Sequence, residues 1–402
     1  MIWKGWPELG FDRHSRRYSR ITWLLFAGCY LSLVGCRQES KTGGLATTNN
    51  VESIRIGEFS SLTGPLAGLG QYTHMGVQLA LEEINAAGGL EGRPFEVLAE
   101  DTGSKAGTAA PLVRKLIARD HVVALIGEGA SGRCLEGAYV AQGAGIPLVS
   151  PAATDPQVTA VGDCIFRVCY TDPFQGTVMA KFAREQLKAK RIGLLVDASS
   201  SYSVGLVDFF KKRLLADGGE VAGEQRYNAG DKDFRAQLTA LKATHPEAIF
   251  APCYFGDAGL ILRQARELGL TTPMLGGDGW EAPELVEIAG LAAEGALFPV
   301  HFSVSSTVES SRHFVEQFTQ RFHKPPTGVS ALGYDTMKLI ADSIRRAGST
   351  DKTAVREALR STKNWTGVTG VLTLDEERNA RKPATIVRVE QGRLVFVTIV
   401  EP

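Results

Sequence analysis

The sequence predicts an α/β protein with two doubly wound parallel sheets, and three observations carry that prediction. Short β-rich runs alternate with stretches of helical periodicity along the body of the chain, the pattern of strand–helix–strand units rather than of hairpins. Runs such as Val122-Val123-Ala124-Leu125-Ile126 are apolar at every position, as a strand covered by helices on both faces must be. About 350 residues follow the N-terminal region, enough for two cores.

The N-terminal region is organised differently. Arg13, Arg16, Arg17 and Arg20 precede an apolar run from Ile21 to Val34, which Gly35-Cys36 closes. A basic patch, a short apolar core and a small residue at the cut describe a secretory leader. The run of roughly 15 residues is short of the ~20 that span a bilayer as a helix. Leu33-Val34-Gly35-Cys36 resembles the lipobox of bacterial lipoproteins, in which the Cys sulfur carries a diacylglycerol and the Cys becomes the new N-terminus. Residues 1–35 are therefore expected to be a lipoprotein signal peptide, with Cys36 as the lipidation site. Residues 36–50 are rich in Ser, Thr, Gly, Asn and charge, so they cannot bury enough surface to order themselves. They read as a flexible linker with a reach of about 20 Å. The expected location is the extracytoplasmic, periplasmic face of a bacterial membrane, held through the lipid.

In the body, Ser53-Ile54-Arg55-Ile56-Gly57 is strand-like. Val77, Leu81, Ile84 and Ala87 recur at helical spacing, and Gly88-Gly89 ends that helix. Phe95 to Ala99 alternates as a strand, and Leu112 and Leu116 belong to the helix before the 122–126 run. Pro147-Leu148-Val149, Ile192 to Val196, Ala248 to Ala251 and Pro273-Met274-Leu275 continue the series.

Composition removes several functions. Lys+Arg and Asp+Glu are equal at 44 each, so no basic field exists to hold nucleic acid. Cys134, Cys164, Cys169 and Cys253 lie in the body without CxxC spacing or a His cluster, so no metal site is read. An exported protein could oxidise them, and four thiols allow three full pairings among which the sequence does not choose. The His residues are scattered, and no nucleophile–base–orienter set is visible, so no catalysis is expected.

Two motifs invite a sharper reading and fail it. Asp101-Thr102-Gly103 looks like half of an aspartic protease dyad, but that chemistry needs a second carboxylate sharing the proton, and no second copy exists. Gly127-Glu128-Gly129-Ala130-Ser131-Gly132 fits the dinucleotide fingerprint after a strand. The acid that should hold a ribose about 20 residues on is missing, for the next strand ends in Ser150-Pro151-Ala152. The simpler use of the loop is as an anion site, made from backbone N–H groups and the Ser131 hydroxyl at a helix N-terminus. The next strand supplies a second hydroxyl-bearing loop, Ser150-Pro151-Ala152-Ala153-Thr154. Both loops follow parallel strands, at the end where open α/β sheets bind ligands.

Longer motifs then identify a family. Gly57 to Pro65 (Gly-Glu-Phe-Ser-Ser-Leu-Thr-Gly-Pro), Glu83 to Leu90 (Glu-Ile-Asn-Ala-Ala-Gly-Gly-Leu), Pro147 to Thr154, Phe166-Arg167 and Leu262 to Arg266 resemble the type I periplasmic binding proteins of the leucine/isoleucine/valine-binding family. The resemblance runs from Ser53 to the C-terminus. It implies two lobes joined by three crossovers, with residues 51–171 and 302–380 in lobe 1 and residues 172–301 and 381–402 in lobe 2. It also implies an amino acid bound between them. The ligand carboxylate would be held by Ser131, Ala152 and Thr154, and its ammonium by Asp278 of Gly276-Gly277-Asp278-Gly279, where branched-chain binders carry Glu. Tyr202 and Tyr254 would close on the ligand from lobe 2. Leu69 stands where an aromatic residue commonly lines the side-chain pocket, and the Cys pair that staples lobe 1 in some relatives is missing.

The protein so implied is a monomeric receptor, without cofactor, that delivers an amino acid to the permease subunits of an ABC transporter. A sensor of the same fold, or a receptor for an amide, urea or aromatic acid, are its rivals. Asp278 and Thr154 together favour a ligand that carries an ammonium.

Overall fold

The computed structural model describes residues 52–306 and 308–401. The expected signal peptide, Cys36 and the linker lie outside the described residues. The chain opens with β1 (Ile54–Ser60), α1 (Ala67–Ala86), β2 (Phe95–Asp101), α2 (Ala109–Ala118), β3 (Ala124–Ile126), α3 (Ser131–Ala144), β4 (Leu148–Ser150), α4 (Gln157–Ala160) and β5 (Ile165–Arg167). The five strands form one all-parallel sheet in the order β2-β1-β3-β4-β5. β3, β4 and β5 are buried at every residue, which is why the all-apolar runs are strands rather than amphipathic helices.

A second sheet follows. It is laid down by α5 (Asp172–Glu185), β6 (Arg191–Asp197), α6 (Ser201–Ala216), β7 (Glu220–Tyr227), α7 (Arg235–Ala243), β8 (Ala248–Phe250), α8 (Phe255–Glu267) and β9 (Met274–Leu275). A 3-10 turn (Asp278–Trp280), α9 (Pro283–Ala289) and β10 (Leu297–Val300) complete this stretch. The chain then returns to the first sheet's layer with α10 (Glu309–Phe322), α11 (Gly328–Ala347) and α12 (Lys352–Arg360). α11 lies close on α1, since a Cβ on Gly76 would stand 1.9 Å from the Ser330 carbonyl oxygen. A small antiparallel sheet of β11 (Trp365–Gly367), β12 (Gly370–Leu374) and β13 (Ala380–Arg381) precedes the last two strands, β14 (Ala384–Glu390) and β15 (Arg393–Val400).

The second sheet has the order β15-β14-β10-β9-β8-β6-β7 and is parallel from β10 to β7, as expected, with two antiparallel strands added at one edge. β14 runs antiparallel to β10, and β15 antiparallel to β14. The cause is local. Gln391 and Gly392 both take positive φ, 51° and 71°, giving the two-residue turn whose twist suits a hairpin. The chain thus passes between the two main sheets three times: after β5, after β10 and after β13. Each of Cys134, Cys164, Cys169 and Cys253 is a buried free thiol, so none of the three possible pairings has formed. Burial pushes the Cys134 and Cys169 thiols up to about 12.

Candidate ligand-binding site

Ser131 is the first residue of α3, and Ala152 and Thr154 lie in the loop that leaves β4. Pairing of β3 with β4 brings the two loops side by side. The loop after β4 is clamped from beneath by Arg167, a fully buried residue at the end of β5. Its guanidinium donates to the Ala153 carbonyl at 2.6 Å, the Asp155 carbonyl at 2.8 Å and the Thr159 hydroxyl at 3.1 Å. The Asp155 N–H donates to the Ser131 hydroxyl at 3.3 Å, which stitches one loop to the other. Behind them Glu128 is buried, accepting from Thr102 at 2.8 Å and Ser61 at 3.1 Å. Burial pushes its carboxyl up, against those bonds and the nearby Arg133 charge.

The two discarded motifs have structural roles here. Asp101 accepts from the Leu62, Thr63 and Gly103 N–H groups and from the Thr63 hydroxyl, so it pins the loop after β1 to the loop after β2. Gly129 sits where Leu69 packs, since a Cβ there would stand 3.3 Å from the Leu69 side chain.

Asp278 stands opposite, on the 3-10 turn after β9. Side chains from three segments hold its carboxylate. Oδ1 accepts from the Tyr202 hydroxyl at 2.8 Å and from Gln175 Nε2 at 3.0 Å, and Oδ2 lies 2.9 Å from His301 Nε2. A carboxylate has about four acceptor sites, so three are used and one on Oδ2 remains. The residue is 9% exposed and lines the cavity. Gln175 holds the group twice, since its Oε1 also accepts the Asp278 N–H at 3.2 Å. Tyr202 relays in the same way, accepting from the Gly279 N–H at 3.1 Å. Tyr202 and Tyr254 stack with ring centroids 5.2 Å apart. Gln175 also donates to Asp172 at 2.7 Å, at the first residue of α5. Burial, followed by the Asp278 charge, pushes the Asp172 carboxyl well above its ordinary value.

One cavity gathers all six residues expected to contact a ligand: Ser131, Ala152, Thr154, Tyr202, Tyr254 and Asp278. Leu69 and Val329 form its apolar wall. Val329, Gln175 and His301 were not singled out by the sequence. Gln175 carries no local signal, being one polar residue in the first turn of a helix. His301 has a faint one, as the polar residue at the end of the apolar run Leu297-Phe298-Pro299-Val300. Among the described residues no group of three or more His, Cys, Asp or Glu could hold a metal ion, and no helix is long and apolar enough to cross a membrane.

With that geometry in view, comparison with known proteins is informative. A family model described as "Periplasmic binding protein" matches residues 53–393. The leucine-, isoleucine-, valine-, threonine- and alanine-binding protein of Pseudomonas aeruginosa is 32% identical, over 81% of this chain and 87% of that relative. A leucine-binding protein from Thermotoga maritima superposes with a TM-score of 0.83 at 37% identity, covering 87% of this chain and 99% of that one. A substrate-binding protein of a branched-chain amino acid transporter from Streptococcus pneumoniae, solved with isoleucine, gives a TM-score of 0.83 at 32% identity. It covers 87% of this chain and all of its own (100%).

Proposed function

Because this chain belongs to the periplasmic binding protein family, we propose that it is the receptor that captures a neutral aliphatic α-amino acid, branched-chain or smaller, for an ABC transporter. It is a binding protein and not an enzyme. The observation that carries the ligand class is the cavity itself, which sets two hydroxyl-bearing loops at strand ends against one carboxylate with a free acceptor site. A zwitterion needs an anion cradle and a counter-charge a few ångströms apart, and burying either charge without a partner is costly. Leu69 and Val329 offer the side chain only apolar surface, and relatives of this chain bind leucine, isoleucine and valine.

Residues 51–171 and 302–380 form one lobe in this reading, and residues 172–301 and 381–402 the other. The two main sheets and the three passages between them support that division. Closure of the lobes brings the loops after β3 and β4 onto the ligand's carboxylate and Asp278 onto its ammonium in one movement. A thermal-shift screen of the common amino acids, on protein starting after Cys36, tests the ligand class. Aliphatic amino acids should raise the melting temperature, a ligand at 100 times its Kd adding about 2.7 kcal/mol. A shift by carboxylic acids that lack an amino group, with none by amino acids, would contradict it.

Lipid attachment at Cys36 completes the proposal, on the strength of Leu33-Val34-Gly35-Cys36. Cys36→Ser should abolish fatty-acid labelling and leave ligand binding unchanged, because a hydroxyl cannot replace the sulfur that forms the thioether. Absence of label on the wild-type protein would remove the anchor.

A further inference from the structure

Asp278 is tied to the passages between the two sheets. Gln175 donates to it from the start of α5, after the first passage, and His301, the residue after β10, reaches it from the second. Lys382, buried in the third passage, lies near enough for its charge to act on His301. His301 is itself buried, at 4% exposure. Its ring stacks on Tyr170 with centroids 3.8 Å apart, and Nδ1 has no hydrogen-bond partner.

These contacts select one form of the imidazole. With its proton on Nε2, the neutral ring donates to Asp278 and leaves only a bare lone pair dry at Nδ1. An imidazolium would bury a second N–H with nothing to receive it. The charged and titratable groups facing the ring are Asp278 at its edge, Tyr170 on its face and Lys382 beyond. Asp172 reaches it only through Gln175 and Asp278. Burial lowers the His301 pKa from its ordinary 6.5, Asp278 raises it, Lys382 lowers it, and the outcome is a lowered value.

We propose that His301 is a positioning residue for ammonium recognition: its neutral N–H orients Asp278 while leaving that charge for the ligand, and a proton on His301 competes with the ligand's ammonium for the same carboxylate. This rests on Asp278 being the ammonium's partner. With both cations present, one buried carboxylate faces two positive charges. Binding therefore expels the imidazolium proton, and affinity falls as pH drops through the His301 range, by up to about tenfold per pH unit.

The test is a calorimetric titration of the full chain with L-leucine from about pH 7.5 to about pH 4, a span that reaches below the ordinary imidazole range because burial lowers the His301 pKa, in buffers of different ionisation heat. The free amino acid does not titrate in that window. Wild type should release protons on binding at the acid end and bind more weakly there. His301→Gln, whose amide donates without titrating, should lose both effects, and His301→Phe should bind more weakly at every pH with the same flat profile. Asp257, pushed up to about 6 in the outer cleft, titrates in this range without contacting Asp278. A slope as steep in His301→Gln as in wild type, or one that disappears only in Asp172→Asn, overturns the proposal. So does wild-type binding with no proton release at any pH, a result that needs no variant to fold. Asp278→Asn separates the two levels. If it binds L-leucine as tightly as wild type, the ammonium reading fails. If it loses binding while wild type releases no protons, only the role of His301 fails.

Discussion

At the scale of single residues the cavity is a set of divided duties. Arg167 builds the anion loops without facing the cavity, while Ser131 and Thr154 line it. Ser131→Ala and Thr154→Ala should each weaken amino-acid binding by about 1–3 kcal/mol, the cost of leaving a charged partner under-bonded. Calorimetry with unchanged affinity in both variants would put the ligand elsewhere. Gly277 has a different duty. A Cβ there would lie 2.2 Å from the Tyr202 hydroxyl, so Gly277→Ala must displace the ring that holds Asp278. We expect a stability loss of about 1–3 kcal/mol by denaturant unfolding, together with weaker binding. An alanine variant with wild-type stability and affinity would show that Tyr202 moves freely. The structure brings into one cavity the six residues that the family resemblance implied. Gln175 and His301 were not legible in the sequence, because each acts from an element distant in sequence and only the folded chain brings it to Asp278.

At the scale of elements, α11 shows how the second sheet's side touches the first. Its N-terminus is capped by Thr327, whose hydroxyl accepts the Ser330 N–H while the Ser330 hydroxyl accepts the Thr327 N–H. The Gly328 N–H is then left for Glu281, which accepts it at 2.6 Å from just beyond the Asp278 turn. Burial pushes the Glu281 carboxyl from 4.5 up to about 8, against the pull of that bond, and the Asp278 charge adds to the rise. The folded protein therefore holds a proton there that the unfolded chain releases. Its stabilising contribution is full below about 4.5 and is lost as pH rises to about 8. Glu281→Gln keeps an acceptor for Gly328 and cannot ionise. Its melting temperature should fall less than the wild type's across that window, and equal slopes would clear Glu281 of the effect. Legibility at this scale followed burial pattern. The all-apolar strands β3, β4 and β8 were plain. β7, half-buried along most of its length, carries no such run. The β14–β15 hairpin turns on Gln391-Gly392, a weaker signal than the Asn-Gly or Asp-Gly that marks most such turns.

At the scale of the whole molecule, the account is that two sheets, joined by three passages, offer opposite charges to one small zwitterion. The general design was readable from alternation and from motifs between Gly57 and Arg266, while the coupling of Asp278 to the passages needed the fold. The claim at the centre is that Asp278 meets an ammonium, and a pair of ligands tests it most directly: L-leucine and its desamino analogue, titrated calorimetrically into wild type and Asp278→Asn. The substitution keeps the size and one acceptor but removes the charge, so it should cost leucine several kcal/mol, as does truncating one side of a buried charge pair. Wild type should prefer leucine strongly over the analogue, and Asp278→Asn should erase most of that preference. If the variant discriminates between the two as well as wild type does, Asp278 is a structural acid held by Tyr202, Gln175 and His301, and the ammonium lies against some other group.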